Sequence, residues 1–176
     1  LKPGRLTDRE FEIMKTHTLI GAQTLEAALD ERPDAQFLIM ARDVALTHHE
    51  HYDGSGYPHG LAGAAIPLCG RIVALADAYD ALTTRRVYKS AYDHDVARSI
   101  LVRESGKHFD PDVVQAFLAN EGMFMAIQRA FAEAESPGEV TTSSRHPRPA
   151  AAAAAEPEAG VLAAVGEADL QQLSPA

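Results

Sequence analysis

One cysteine, no long apolar run and a deficit of positive charge set the first limits. Cys69 stands alone, so no internal disulfide framework can form. A reducing cytoplasm fits that usage, and Cys69 reads as a small buried or half-buried residue. No stretch approaches the roughly 20 apolar residues that cross a bilayer. The start, Leu1-Lys2-Pro3-Gly4, lacks the apolar segment of a secretion signal. No membrane association is expected, and the expected location is cytoplasmic. The chain opens on Leu1 rather than methionine, which reads as a fragment, a trimmed chain or an unusual start. Lys and Arg number 16 against 25 Asp and Glu, a net charge of −9. That argues against DNA as a partner, since nucleic acid calls for a basic surface. Strand-like alternation and internal repeats are both lacking.

What is present is helical period. The 176 residues suffice for one domain with a core. Thr7-Asp8-Arg9-Glu10 is a capping box, and it starts a helix carrying Phe11, Met14, His17, Leu19 and Ile20. Asp34 is placed to cap a second helix, whose Phe37, Leu38, Met40, Ala41, Val44, Ala45 and His48 recur at three- and four-residue steps. That helix is expected to end near His51. Residues 52–66 form a glycine-rich loop, and Pro67 opens a third helix. Residues 83–92 read as loop. Asp93 caps a fourth helix, and Asp110-Pro111, a cap followed by a first-turn proline, starts a fifth. Apolar residues continue to Phe131.

From Pro137 the composition turns to Thr, Ser, Pro and Arg, with six alanines at 150–155. Residues 137–176 are expected to be a mostly disordered low-complexity tail. Val161, Leu162, Val165, Leu170 and Leu173 would make at most a marginal helix, weakened by Gly160 and Gly166. The fold class is all-α, a domain over 1–136 followed by the tail.

His17, His48, His49, Asp77 and Asp80 lie on three of these helices. Taken singly, a histidine on an amphipathic helix is more often a core-edge group than a ligand. The adjacent pair His48-His49 followed by Glu50 is less ordinary, as is Asp77 between two alanines, because a buried unpaired carboxylate is costly. Neighbouring helical residues differ by about 100°. So His48 and His49 face one spot only if the helix end distorts, or if two metals share the site. Asp77 and Asp80, three apart, share a face. Arg85, Arg86 and Lys89 form a basic cluster within an acidic protein, suited to a small anion or simply a solvated loop.

His48-His49-Glu50 with Asp53-Gly54-Ser55-Gly56-Tyr57-Pro58 is also where the chain resembles the HD-GYP family, whose signature is HHExxDGxGYP. The segments from Phe11 to His17, from Pro67 to Thr83, from Arg86 to Lys89 and from Gly106 to Pro111 resemble it too. The resemblance implies an HD-domain-like helical bundle and a metal-dependent phosphodiesterase of cyclic di-GMP or a related phosphodiester. It implies that His17, His48 and His49 hold one divalent metal and Asp77 a neighbouring one, iron or manganese ahead of zinc. Tyr57 would line the substrate pocket, and Arg86 and Lys89 would hold its phosphates. Glu50 and Asp53 would orient histidines and loop, with Asp80 as a supporting carboxylate. His51 and His59 are expected to be solvated. A receiver or sensor domain upstream, and a protein partner at the GYP loop, are the implied partners.

The family's His-Asp dyad, in an HDIGK-like segment, would precede Leu1. His94-Asp95 stands too far downstream to replace it. Without that segment the bundle is expected to be incomplete, with apolar faces left exposed on the first two helices. The chain by itself is then expected to be inactive for lack of ligands. The alternative reading is a non-catalytic nucleotide- or protein-binding module derived from such a domain.

Overall fold

In the computed structural model, residues 6–84 and 91–134 are described. They form six helices and no strand: α1 Asp8–Glu31, α2 Gln36–Thr47, α3 Leu68–Thr83, α4 His94–Arg103, α5 Pro111–Ala119 and α6 Glu121–Ala134, with a short 3₁₀ turn at Gly63–Ala65. The tail beyond 134 and the Arg85, Arg86 and Lys89 cluster lie outside the described residues.

Two helix starts follow the local chemistry. The Thr7 hydroxyl accepts from Glu10 N–H, and the Glu10 carboxylate accepts from Thr7 N–H at 2.7 Å. Asp110 accepts from Asp112 N–H at 2.8 Å, ahead of Pro111. The α2 start differs from expectation. Ala35, not Asp34, is the capping residue, and no side chain satisfies the first turn. Ala35 instead donates its own N–H to Arg32 carbonyl, closing the turn between α1 and α2. Asp93 does occupy the α4 cap position, though its side chain makes no capping bond.

The apolar core is built on α3. Leu75, Ala78, Tyr79 and Leu82 recur at helical spacing and meet Ala97, Ile100 and Leu101 of α4 and Phe109, Val113, Val114 and Phe117 around α5. Phe124 of α6 packs against this cluster. Tyr79 Oη and His94 Nδ1 stand 3.0 Å apart, and Arg98 donates to Glu121, so polar bonds tie α4 to α3 and α6. His94 is thus absorbed by packing.

The α1 and α2 helices pack mainly on each other, and their main approach to the core is α2 against α3. They bury Thr18, Ala22 and Thr47 and little else. Ile13, Ile20, Phe37 and Met40 stay exposed, Phe37 at 69%. The α2–α3 crossing is close because Gly70 has no side chain. A Cβ there would sit 2.0 Å from Thr47 Oγ1, which is itself engaged by donating to Asp43 carbonyl at 2.6 Å. This crossing sets the distance between the end of α2 and the middle of α3.

Gly70→Ala is therefore expected to destabilise the chain by about 1–3 kcal/mol through overpacking. Gly122→Ala, with nothing within 4 Å of its added carbon, is expected to cost nothing. Urea unfolding of both variants checks the contrast, and equal midpoints would contradict the crossing as described.

Candidate metal centre

The three histidines meet because α2 stops early. Helix α2 ends at Thr47 rather than near His51, and His48 is its C-terminal cap. His49 thus leaves the helical screw, and the 100° offset from His48 no longer separates the two rings. His17 comes from the middle of α1. One ligand nitrogen of each of His17, His48 and His49 lies within 4.8 Å of the others.

The proton positions follow from the partners. His17 Nδ1 stands 2.7 Å from Met14 carbonyl, and His48 Nδ1 2.8 Å from Val44 carbonyl. A carbonyl only accepts, so each Nδ1 carries the hydrogen and each neutral ring keeps a lone pair on Nε2. Those two Nε2 atoms face each other at 3.3 Å. Two lone pairs at that distance repel unless a cation lies between them. Burial, with the neighbouring His17, lowers the His48 pKa. Burial, then His48 and His17, lowers that of His49 to about 3. His48 and His49 are held neutral, so a proton is a poor occupant of their side of the cluster. Metal–nitrogen bonds of about 2.0–2.1 Å put two imidazole nitrogens on one ion roughly 2.8–3.4 Å apart, from octahedral to tetrahedral angles. The donor set fits a divalent metal ion.

Asp77, half-buried on α3, is close enough for its charge to act on both His48 and Tyr57. It is not within the tight three-histidine group. Asp80 faces outward and accepts from the Thr84 hydroxyl at 3.1 Å.

The loop after His49 is folded back over it. Glu50, 1% exposed, accepts His59 N–H at 2.8 Å and Leu61 N–H at 3.0 Å. Its carboxylate therefore organises the loop rather than an imidazole. Gly56 crosses the histidine segment so tightly that a Cβ would lie 2.3 Å from His51 N and 2.5 Å from His49 O. Gly54 and Gly60 take positive φ, 86° and 66°. Tyr57 then donates its N–H to His49 carbonyl and stacks its ring on the His49 ring, centroids 4.8 Å apart. Its Oη is buried with no hydrogen-bond partner among the described residues. Burial, with the charge of Asp77, pushes this phenol far above its ordinary range, so it remains a donor. Asp53 accepts from both the N–H and the hydroxyl of Ser55, and those bonds lower its pKa.

The expectation that His51 is solvated is wrong. His51 is 5% exposed, donates Nδ1–H to Ser55 Oγ at 2.9 Å, and lies against the His108 ring, centroids 3.9 Å apart. The turn at 104–109 brings His108 there, joined to the loop by Tyr52 N–H to His108 carbonyl and Asp53 N–H to Lys107 carbonyl. Sequence reading placed His108 in a family-like segment but gave it no role. The only local signal was Gly106, whose φ of 79° makes the turn. His59 is exposed, as expected.

Burial, then the neighbouring His51, lowers His108 to about 3. Unfolded, a histidine titrates near 6.5. Between those values the unfolded chain binds the proton first. The stability His108 contributes is thus fully present above about pH 6.5 and is lost as pH falls toward 3. Urea unfolding across that window is expected to show stability falling with acid. His108→Gln should flatten the slope by up to about 1.4 kcal/mol per pH unit. An unchanged slope would mean that another group carries it.

The model of the HD domain matches residues 1–113. A Vibrio cholerae protein named cyclic di-GMP phosphodiesterase is 57% identical over 134 residues, 76% of this chain and 27% of that protein. The cyclic di-GMP phosphodiesterase response regulator RpfG of Xanthomonas campestris pv. campestris is 44% identical over 136 residues, 77% of this chain and 35% of its own. A 3'3'-cGAMP-specific phosphodiesterase 2 of Vibrio cholerae is 39% identical over 127 residues, 72% of this chain and 23% of that protein. The chain spans about a third or less of the length of these relatives. With the family model covering more than half of its residues, the chain belongs to the HD domain family, and its loop signature is that of the HD-GYP kind.

Proposed function

We propose that this chain is the metal- and phosphate-handling part of a phosphodiesterase acting on cyclic di-GMP. In this reading His17, His48 and His49 hold one divalent ion, and Asp77 contributes to a neighbouring one. The observation that carries it is the pair of Nε2 lone pairs facing each other at 3.3 Å with both Nδ1 hydrogens committed to carbonyls. When bound, the ion supplies Lewis acidity at a phosphate oxygen and acidifies water. Imidazole with carboxylate suits iron, manganese or zinc, and the family resemblance puts iron or manganese first.

The protein's own groups do the rest. Glu50 fixes the loop, the loop presses Tyr57 on His49, and the stacked ring holds the imidazole plane. Tyr57 forms the pocket wall and offers a hydroxyl donor. Arg86 and Lys89 take the phosphates, Arg86 by a forked contact and Lys89 as a point charge. A receiver or sensor domain as regulatory partner belongs to the same reading, one relative being named a response regulator. So does a cytoplasmic location. No described helix is long and apolar enough to cross a membrane.

Elemental analysis of the manganese- or iron-loaded chain is expected to find one tightly held ion. Either His48→Ala or His49→Ala should weaken its binding at least about tenfold, with helicity by circular dichroism unchanged, as loss of a ligand predicts. Retention of the ion in both variants would end the assignment.

Titration calorimetry with cyclic di-GMP tests the substrate. Binding is expected, and Arg86→Ala should weaken it more than Arg85→Ala. Equal losses would reduce the basic cluster to diffuse charge. Binding of 3'3'-cGAMP alone would move the substrate to the mixed dinucleotide.

A further inference from the structure

Lys15 is placed beside this site by two aromatic rings. It lies one helical turn after Phe11 and two residues before His17 on α1. Its Nζ stands 5.4 Å from the Phe11 ring centroid and 5.8 Å from that of Tyr57. Both distances are within the range of a cation–π contact, and such contacts strengthen where water is thinned. The Lys15 side chain is 27% exposed, although a surface lysine ordinarily extends into solvent. Phe11 also meets Tyr57 edge to face, centroids 6.1 Å apart, while Tyr57 stacks on His49. One ring therefore touches both a candidate metal ligand and a held ammonium.

The ammonium has three N–H donors. The structure gives it one carboxylate oxygen, Glu12 Oε1 at 2.6 Å, on a side chain that is 68% exposed. A pair that exposed contributes little to stability and yields readily to another acceptor. A second donor lies on the same ring, since Tyr57 Oη is buried with no partner among the described residues. A buried hydroxyl left unsatisfied is costly, and such a cost beside a histidine cluster points to a ligand that relieves it. An ammonium over a ring and an unpartnered hydroxyl on that same ring, beside a histidine cluster, suit an acceptor-rich anion.

We propose that Lys15 is a phosphate-binding residue of this site, donating from Nζ to a non-bridging phosphate oxygen while Tyr57 Oη donates to the same group. The assignment rests on the metal-site reading above. It adds a cation from α1 to the pair expected from Arg86 and Lys89. Phe11 and Tyr57 are its positioning residues, because they fix where the ammonium stands.

The test uses the full chain loaded with manganese and inorganic phosphate as the probe, followed by titration calorimetry. Lys15→Met keeps the stem over the rings and removes the charge, and Lys15→Arg keeps the charge. Lys15→Met is expected to weaken phosphate binding about tenfold, as loss of one charge-assisted bond predicts. Manganese affinity and thermal midpoint should stay at wild-type values, and Lys15→Arg should restore most of the loss. Tyr57→Phe should also weaken phosphate binding, yet leave the metal-free chain as stable as wild type or more so. Wild-type phosphate affinity in Lys15→Met overturns the proposal. So does a loss of manganese binding or of stability equal to the loss of phosphate, which would make Lys15 a packing residue. If the wild-type chain holds no manganese, the metal-site reading itself fails, and that outcome is separate from either.

Discussion

The carboxylate of Glu50 is the interaction on which the site depends. It is buried at 1% exposure and satisfied by two backbone N–H groups from the far side of the glycine loop. A buried charge without such partners is costly enough to reorganise its surroundings. The loop therefore cannot open without exposing that charge or stranding it. Everything after Glu50 inherits the constraint: Gly56 must lie on the histidine segment, Tyr57 must stack on His49, and His51 is shut beneath Ser55 and His108. A single side chain converts a flexible sequence into a rigid wall for three imidazoles.

A second constraint acts from the other side. The Gly70–Thr47 crossing holds the end of α2 against α3, and α3 is the most deeply packed helix. His48 and His49 are thus tied to the core through α2, while Asp77 belongs to α3 itself. The geometry of the centre comes from two backbone approaches, each of which requires a residue without a side chain.

Local chemistry was legible in the sequence. Thr7 with Glu10, and Asp110 with Pro111, specify helix starts through bonds made within three residues, and the three-to-four periodicity of α3 and α5 specifies their buried faces. The convergence of His17, His48 and His49 could be expected from the motif, though not its means, since nothing local says that α2 stops at Thr47. What escaped was set by distant partners. His51 is buried by a turn more than fifty residues away in the chain, and His108 by His51. Asp34 looked like a cap, but the turn closed on Arg32 carbonyl and moved the helix start by one residue. The role of Lys15 depends on Tyr57 across the fold, which no helical pattern on α1 reveals.

The thin burial of α1 bears on how the centre behaves in time. Helices holding few core contacts open locally at a fraction of the global unfolding free energy. His17 therefore rides on a thinly buried helix, while His48 and His49 are anchored at the α2–α3 crossing. An ion bridging all three would act as the rivet of that hairpin. Its release rate would be governed by the breathing of α1, and amide exchange along Asp8–Glu31 would slow on loading while the α3–α5 core stayed indifferent.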